Sequence, residues 1–441
     1  MADLTSVALC VPELLLPAPH VDLSKWAVVA CDQYTSEPEY WHDVARIVGD
    51  APSSLHVIYP EVYLGEPDPD ARIARIRATM NDYRDRGLFT KRRGFSLVER
   101  STSTGTRRGL VVALDLERYS FERGSEALIR ATEGTILERL PPRIRIRESA
   151  PIELPHIMVL IDDPDDTVIG PLAREPLETL YELDLMKHGG HVRGRLVTEA
   201  RAAAIAEALQ TLSSASTRNG ARSPFLYAMG DGNHSLATAK TIWERVKACP
   251  EPVEGASASP GDPRRFALVE LVNVHDPALV FEPIHRVLFD VTLDVQRELE
   301  AAFGARLSSR SVPAAELEHE VEASTASHHR LGLISSAGVS LLEIREPPSN
   351  LPAGTIQPLL DRWIQEKRVR EVDYVHGAKA VVTLGAQPGN VGIFLPSMDK
   401  RELFETVVLD GALPRKTFSM GEADDKRFYL EARSLASPPR R

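Results

Sequence analysis

The chain has 441 residues, of which 43% are hydrophobic and 26% charged, a usage typical of globular proteins. This length allows two or three domains of roughly 100 to 200 residues each. The formal net charge of −11, from 52 Lys and Arg against 63 Asp and Glu, gives an overall field that repels nucleic acid. The three cysteines, Cys10, Cys31 and Cys249, are too scattered to predict a disulfide framework or a zinc knuckle.

The N-terminus does not have the pattern of an export signal. Residues 1–19 lack a basic segment, carry Asp3 and Glu13, and are interrupted by Pro12 and Pro17. No apolar run reaches the roughly 20 residues that a membrane-spanning helix needs. We therefore expect a cytoplasmic protein that binds neither membrane nor nucleic acid.

Four segments have the apolar spacing of amphipathic helices. The first follows a capping-box pattern at residues 36–39, the second ends before Gly87, the third follows Thr198 and the fourth follows Asn233. The expected inner faces are Tyr40, Trp41, Val44 and Ile47; Ile73, Ile76, Met80 and Tyr83; Ile205, Leu209 and Leu212; and Leu236, Ala239, Trp243 and Val246.

Apolar runs rich in β-branched residues alternate with these helices and predict strands. They lie at residues 110–116, 157–161, 225–229, 266–274, 331–334, 339–344 and 391–395. The alternation predicts an α/β or α+β fold with mixed sheets and flanking helices. The order of the strands does not follow from the pattern.

The succession of predicted strands and helices becomes less distinct near residues 285–315, which suggests a domain boundary there. We expect a motif-bearing α/β domain at residues 1–290 and a C-terminal α/β domain at residues 291–441. Residues 248–264 are dense in Pro, Gly, Ala and Ser without an apolar period, which predicts a surface or disordered insertion. Residues 437–441 predict a frayed tail.

The segment most indicative of chemistry joins a strand to a helix. Residues 225–229 predict a buried strand, residues 230–233 a tight turn with two glycines, and the next residues a helix. A helix start exposes unpaired backbone N–H groups at the positive end of the helix dipole, where phosphate oxygens bind. Helix capping by Asp231 or Asn233 alone is the alternative, because the spacing is not that of a P-loop. The predicted phosphate-binding residues are Gly230, Gly232, Asn233, His234 and Ser235.

The sequence DGNHSLATAK, which follows Gly230, resembles the DGHHRxxTA motif of a bacterial family known as domain of unknown function 1015. Further blocks similar to that family lie at residues 31–34, 54–58, 131–135, 155–163, 374–377 and 413–423. These blocks span most of the chain, so it is identified as a member of the family. The family itself implies no settled activity.

The motif is more distantly similar to the ParB and sulfiredoxin superfamily, whose members include a free-serine kinase. This similarity implies a ParB/sulfiredoxin-like core in the N-terminal domain and a helix start that holds nucleotide phosphates. His234 then takes the position of the phosphate-contacting histidine, and Asn233 the preceding one. Ser235 stands where arginine is usual, which removes a bidentate cation from the phosphate site.

Arginine and isoleucine alternate over residues 143–147, which predicts a strand with its cations on one face. On that face, Arg143, Arg145 and Arg147 would form the cationic wall of an anion pocket. A solvated sheet face whose arginines pair with Glu138 and Glu148 is the alternative.

Acidic and basic side chains elsewhere complete the predicted site. Glu133 is a candidate general base, because phosphoryl transfer to an alcohol asks for a carboxylate near the hydroxyl; the alternative is a salt-bridged helix glutamate. Asp162 and Asp163 follow a strand and would hold Mg²⁺, unless they only form a turn. Lys416 lies in a basic turn that would contact phosphate, close a lid or simply face solvent.

These elements favour a small-molecule phosphotransferase, such as a kinase acting on a hydroxylated metabolite like an amino acid. The turn at residues 230–235 would grip the phosphates of ATP or ADP while Mg²⁺ offsets their charge. Glu133 or Asp231 would accept the hydroxyl proton, and His234 would act at the phosphate. A nucleotide-sensing protein without turnover and a phosphate-ester hydrolase are the alternatives, and a homodimer is compatible with the sequence.

Overall fold

Residues 3–218, 223–248 and 261–436 are described by a computed structural model. The chain divides into two units, Met1–Val280 together with Gly421–Arg441, and Phe281–Met420. The division differs from the expected boundary at residue 290, and it assigns the last residues to the first unit. Most of the predicted insertion, Cys249 and the predicted tail lie outside the described residues.

Strands and helices alternate through both units. The strands are Leu9–Cys10 (β1), Glu13–Pro17 (β2), Phe89–Thr102 (β3), Gly105–Asp115 (β4), Tyr119–Ser120 (β5), Ile129–Arg130 (β6), Ile152–Glu153 (β7), Met158–Ile161 (β8), Glu178–Asp184 (β9), His191–Thr198 (β10), Tyr227–Asp231 (β11), Phe266–Asn273 (β12), Phe281–Phe289 (β13), Leu307–Ser311 (β14), His328–Ser335 (β15), Gly338–Arg345 (β16), Glu371–His376 (β17), Val391–Phe394 (β18), Phe418–Met420 (β19) and Arg433–Ser434 (β20). The helices are Leu23–Trp26 (α1), Pro38–Val48 (α2), Pro69–Asp85 (α3), Leu140–Glu148 (α4), Ile169–Ala173 (α5), Ala202–Arg218 (α6), Asn233–Ala248 (α7), Val295–Phe303 (α8), Leu317–Glu322 (α9), Pro352–Gln365 (α10), Ala378–Gly385 (α11) and Leu403–Asp410 (α12).

The first unit is built on a mixed sheet. Its strand order is β5-β6-β11-β8-β12-β4-β3-β10-β9, with β1 added to β4 and β2 added to β3. Strand β8 runs parallel to β12 and antiparallel to β11. A separate pair joins β7 to β20, so the C-terminal segment is part of this unit. The predicted class, α/β or α+β with mixed sheets and flanking helices, is confirmed.

Both faces of this sheet are covered by apolar side chains. Along β4, Leu110 and Val112 belong to one hydrophobic cluster and Val111 to the other, as the two-residue period of a strand requires. Helices α5, α6 and α7 contribute to the first cluster, and α1, α2 and α3 to the second. The site described below lies where β8 and β11 meet α7.

The second unit has its own sheet and its own core. The strand order is β14-β16-β15-β18-β13-β17, with β19 added to β13. Helices α8 and α10 pack on one hydrophobic cluster, and α9 and α11 on another. Among the described residues of both units, no helix is at once long and apolar enough to span a bilayer.

The predicted strands and amphipathic helices are confirmed in position, with two corrections. The capping box at residues 36–39 is wrong: the cap residue Glu37 makes no side-chain capping bond, and Ile47 is 42% exposed whereas Val48 is buried. The strand predicted over residues 143–147 is also wrong, because these residues lie in α4. Prolines at the first positions of α4 suit a helix start, where no N–H is needed.

Candidate functional site

The turn between β11 and α7 is shaped around one glycine. Gly232 has a left-handed φ of 80°, and its carbonyl accepts the amide hydrogens of Ser235 and Leu236, both at 3.0 Å. A Cβ at this position would lie 3.1 Å from the Cα of Ile157, so backbone and packing both favour glycine. Residues 231–235 are half-buried, which leaves the helix start partly accessible.

The first turn of α7 offers polar groups next to the positive end of a helix dipole. Such a helix start attracts anions through its backbone N–H groups. Within the described residues, the side-chain oxygen Oδ1 of Asn233 is buried without a hydrogen-bond partner. Of the predicted residues, Gly230 lies in β11, Gly232 in the turn, and Asn233, His234 and Ser235 in the first turn of α7.

Ser235 is hydrogen-bonded to a histidine from another element. Its Oγ lies 2.8 Å from Nε2 of His156, which precedes β8. The other ring nitrogen of His156, Nδ1, lies 2.9 Å from the hydroxyl of Tyr429, and that hydroxyl accepts the amide hydrogen of Cys31 at 3.1 Å. A carboxylate oxygen of Asp32 lies 3.8 Å from Nε2. The imidazole is therefore held at both nitrogens.

Asp231 is committed to an ion pair. Its Oδ2 lies 3.1 Å from Nζ of Lys426, and its Oδ1 accepts the amide hydrogen of Gly232 at 2.9 Å. Burial would raise the pKa of Asp231, but the ammonium of Lys426, together with His156 and the amide of Gly232, holds the pKa below its ordinary value. Asp231 is therefore a weak proton acceptor in this structure.

The segment that carries Lys426 is fixed on both sides. Arg100 donates to the carbonyl of Asp424 at 2.7 Å, and Arg107 donates to that of Asp425 at 3.0 Å. The neighbouring Arg427 is fully buried and forms ion pairs with Glu270 and Glu431. These contacts place Lys426 beside the turn without help from a ligand.

A cavity opens beside Ser235 in the first unit. Its volume is about 130 Å³, several times the roughly 10 to 15 Å³ that one water molecule requires on the same measure. The walls are largely apolar with a few convergent polar groups, as in small-molecule sites. The polar lining residues are Cys31, Tyr59, Glu61, Arg143, Arg147, Glu153, His156, Ser235, Thr238 and Tyr429.

Helix α4 brings two arginines to this cavity. Leu140 and Ile144 pack against apolar residues of α7, so α4 lies alongside that helix. Arg143 and Arg147, four residues apart and on one helix face, both line the cavity. Arg145 instead pairs with Asp70, and the two side chains are 50% and 75% exposed.

Both cavity arginines are paired with carboxylates, one half-buried and one buried. Arg143 pairs with Glu61, and Arg147 with Glu153. Burial raises the pKa of Glu61, and the guanidinium of Arg143 offsets only part of that rise. Burial would raise the pKa of Glu153 as well, but Arg147 and Arg433 together hold it below its ordinary value.

The predicted cationic wall of three arginines is therefore wrong, because only Arg143 and Arg147 line the cavity. The three arginines do not share one face, because a helix turns alternate residues to different sides.

His234 also differs from a simple phosphate donor. Its Nε2 accepts the amide hydrogen of Ile136 at 3.3 Å, which places the ring proton of the neutral form on Nδ1. Lys416 lies in the second unit, with a left-handed φ of 56°.

The carboxylates predicted to hold Mg²⁺ have protein partners. Asp162 lies 2.7 Å from Nε2 of His275. Asp163 is fully buried, and its oxygens accept from the hydroxyl of Thr167 and the amide of Val168. Throughout the described part of the chain, no three or more His, Cys, Asp or Glu residues cluster as a metal site would require. Glu133 is half-buried in the segment after β6.

Several residues of the cavity and turn were not predicted, among them His156, Tyr429, Glu61 and Lys426. His156 lies in a block that resembles the family, so a signal was present but no chemistry followed from it. Glu61, Lys426 and Tyr429 carry no local pattern, because folding alone brings them to the turn.

The model of a family described as "Protein of unknown function (DUF1015)" matches residues 15–367 of the chain. No functionally curated protein matches it. The chain therefore belongs to a family whose description names no activity.

Solved structures with a similar arrangement are distant in sequence. A conserved hypothetical protein from Pyrococcus furiosus is 13% identical with a TM-score of 0.36, over 74% of this chain and 95% of that one. A variant of a free serine kinase in complex with AMP is 11% identical with a TM-score of 0.41, over 74% and 92%. The same values hold for that variant in complex with ADP.

Proposed function

Since this chain belongs to the DUF1015 family, whose description assigns no activity, we propose its function from its own residues: a phosphotransferase acting on a small molecule. One observation carries the proposal. Arg143 and Ser235, the latter at the start of α7, line the same cavity. A guanidinium opposite a helix N-terminus is an arrangement that suits a phosphoryl group.

The ligand binds with its phosphate at the helix start and its remaining atoms toward the apolar wall. Arg143 then exchanges part of its contact with Glu61 for the phosphate oxygens, which accept two parallel N–H bonds. The carboxylate of Glu61, partly released from Arg143, is then available to accept a proton.

The acceptor is a hydroxylated metabolite, such as an amino acid, and its proton passes to a carboxylate. Glu61 is the candidate that lines the cavity, and a raised pKa makes a carboxylate a better base near neutral pH. Glu133 stays the acceptor that the sequence suggests. In this proposal Asp231 holds Lys426 in place, and His234 fixes the turn by accepting the amide hydrogen of Ile136.

A nucleotide such as ATP or ADP is the proposed phosphoryl donor. Mg²⁺ that is bound to nucleotide phosphates usually takes only one or two carboxylates from the protein, so the site needs to supply few acidic ligands. A ParB/sulfiredoxin-like origin of the turn remains part of the proposal. The second candidate is a nucleotide sensor without turnover, which the serine at position 235 favours, because a bidentate cation is replaced there by a neutral hydroxyl.

Calorimetric titration tests the binding step. The purified chain is titrated with ATP, ADP, CTP, pyrophosphate and phosphate, each with Mg²⁺. We expect Arg143→Gln to weaken binding about 10- to 100-fold, the usual loss for a charged hydrogen bond. The matched control is Arg145→Gln on the same helix, which removes an exposed pair outside the cavity.

Equal losses in the two arginine variants, or no binding of any phosphate compound, would refute the proposal. Product analysis with hydroxylated acceptors then separates a kinase from a sensor, because only the kinase consumes an acceptor.

A further inference from the structure

Ser235 and His156 form a pair that the proposed phosphotransferase does not strictly need. A direct transfer from donor to acceptor requires no protein hydroxyl between them. Nevertheless, Ser235 Oγ lies 2.8 Å from His156 Nε2, and both residues line the cavity. A hydroxyl within hydrogen-bond distance of an imidazole is the pairing that activates a serine nucleophile.

We propose, resting on the phosphotransferase function above, that Ser235 is a covalent phosphoryl acceptor and His156 its general base. In the first step, Ser235 Oγ forms a bond to phosphorus while the bond from phosphorus to the donor oxygen breaks. The donor oxygen leaves with the electron pair. The hydroxyl proton passes to His156 Nε2 and then to the departing oxygen.

The second step releases the phosphoryl group. A hydroxylated acceptor or water attacks the phosphorus, and its proton passes to His156 Nε2, which on this route replaces Glu61 as the proton acceptor. The bond between phosphorus and Ser235 Oγ breaks, and Oγ regains a proton from the imidazolium. The reaction is therefore a double displacement, whose outcome with water is hydrolysis of a phosphate ester.

The surroundings of His156 suit a proton carrier. Tyr429 holds Nδ1 at 2.9 Å, and the amide of Cys31 fixes the tyrosine hydroxyl in turn, so the ring cannot turn away from Ser235. Asp32, 3.8 Å from Nε2, stabilises the imidazolium that forms when the proton arrives. Tyr429 is a positioning residue, since it acts through His156.

Thr238 and Cys31 also border the cavity, and neither is poised in the same way. The hydroxyl of Thr238 donates to the carbonyl of His234 at 2.7 Å, one helical turn back. Burial raises the pKa of the Cys31 thiol, so the thiolate is scarce there. Ser235 is the hydroxyl that lies both beside a base and at the anion-binding end of α7.

Mass spectrometry of the full chain tests the inference. The protein is mixed with a donor, either ATP with Mg²⁺ or p-nitrophenyl phosphate, without an acceptor, and quenched in acid, in which phosphoserine is stable. We expect one phosphoryl group, located on Ser235 by fragmentation. Thr241→Val, whose hydroxyl donates to the carbonyl of Ala237 outside the cavity, should be labelled like the wild type. Ser235→Ala should not be labelled, and His156→Gln should be labelled at least about 100-fold more slowly.

The wild-type protein alone can overturn the inference. If a donor binds and is consumed but no residue is labelled, direct transfer is correct. If the label lies on another residue, a different nucleophile carries the phosphoryl group. The inference about Ser235 fails in both cases, while the phosphotransferase function survives. If no donor binds in calorimetry, both proposals fail. Donor binding to Ser235→Ala shows that the variant is folded, so lost labelling then reflects the missing hydroxyl. Tyr429→Phe should slow labelling far more than it weakens donor binding, a difference that a merely structural role would not produce.

Discussion

The ammonium nitrogen of Lys426 lies 3.1 Å from a carboxylate oxygen of Asp231, although the whole second unit lies between them in sequence. Lys426 is 7% exposed and Asp231 24% exposed, so the pair is largely shielded from water. Removal of one partner of such a pair leaves an uncompensated charge, which costs more than the pair contributed.

We therefore predict that Lys426→Met lowers the stability of the first unit by about 2 to 4 kcal/mol. The double variant Asp231→Asn with Lys426→Met should recover much of the loss, because no charge is then left alone. Urea denaturation followed by tryptophan fluorescence measures this. In a Trp363→Phe background the signal reports on the first unit, which holds the other three of the four tryptophans. A double variant no more stable than the single one contradicts the prediction.

Gly232 provides a second prediction. Gly232→Ala should destabilise the first unit by about 2 to 3 kcal/mol, because an alanine there suffers both a left-handed backbone and contact with Ile157. Gly124→Ala is the matched control: its φ is 72°, but no atom lies within 4 Å of the added Cβ. The control should cost only about 1 kcal/mol. Equal losses in the same denaturation experiment would mean that crowding by Ile157 is not important.

Glu153 should make the first unit sensitive to acid. Its pKa lies below the ordinary value in the folded chain, since Arg147 and Arg433 outweigh the effect of burial. A carboxylate of this kind contributes stability above its unfolded pKa of roughly 4.5, and that contribution is lost as the pH falls through the folded pKa. The urea midpoint should therefore fall steeply below about pH 4.5.

Glu153→Gln should cost about 3 to 5 kcal/mol at neutral pH, because two arginines lose a buried partner, and it should flatten the acid limb. Glu148→Gln, at an exposed position 3.5 Å from Arg245, should change neither. If the urea midpoint of Glu153→Gln falls as steeply at low pH as that of the wild type, other carboxylates cause the acid sensitivity.

The two units should differ in their need for the C-terminal segment. A chain of residues 281–420 alone contains a complete sheet and both of its hydrophobic clusters, so we expect it to unfold cooperatively. Residues 1–280 alone lack Arg427 and Arg433, which neutralise the buried Glu270 and Glu153. Circular dichroism and hydrogen exchange should show a loosely packed protein, and a separately supplied peptide of residues 421–436 should restore protection. A cooperative transition in residues 1–280 alone would contradict this.

The sequence predicted the framework well because periodicity is local. The stripe Leu236, Ala239, Trp243 and Val246 placed α7, and the apolar run at residues 266–274 placed β12. The segment at residues 143–147 failed because its Arg and Ile alternation fits a strand, whereas the preceding prolines and the packing of Ile144 on α7 make it a helix. Strand order depends on pairings between distant segments, which no local pattern contains.

The site was only half predictable for the same reason. The glycine turn and the helix start at Asn233 are short-range features, and both are present. Ser235 acquires its partner from residue 156, and His156 acquires its own from residue 429. Such contacts are fixed by the sheet order β11-β8-β12 and by the return of the chain after the second unit.

Because residues 421–436 follow the second unit in sequence, the parts of the site are synthesised at different times. The ribosome makes the glycine turn, then the entire second unit, and only afterwards the residues that carry Lys426 and Tyr429. A nascent chain shorter than this holds His156 without its tyrosine and Asp231 without its lysine. The cavity and the ion pair beside the turn are therefore completed only after the second unit has been synthesised.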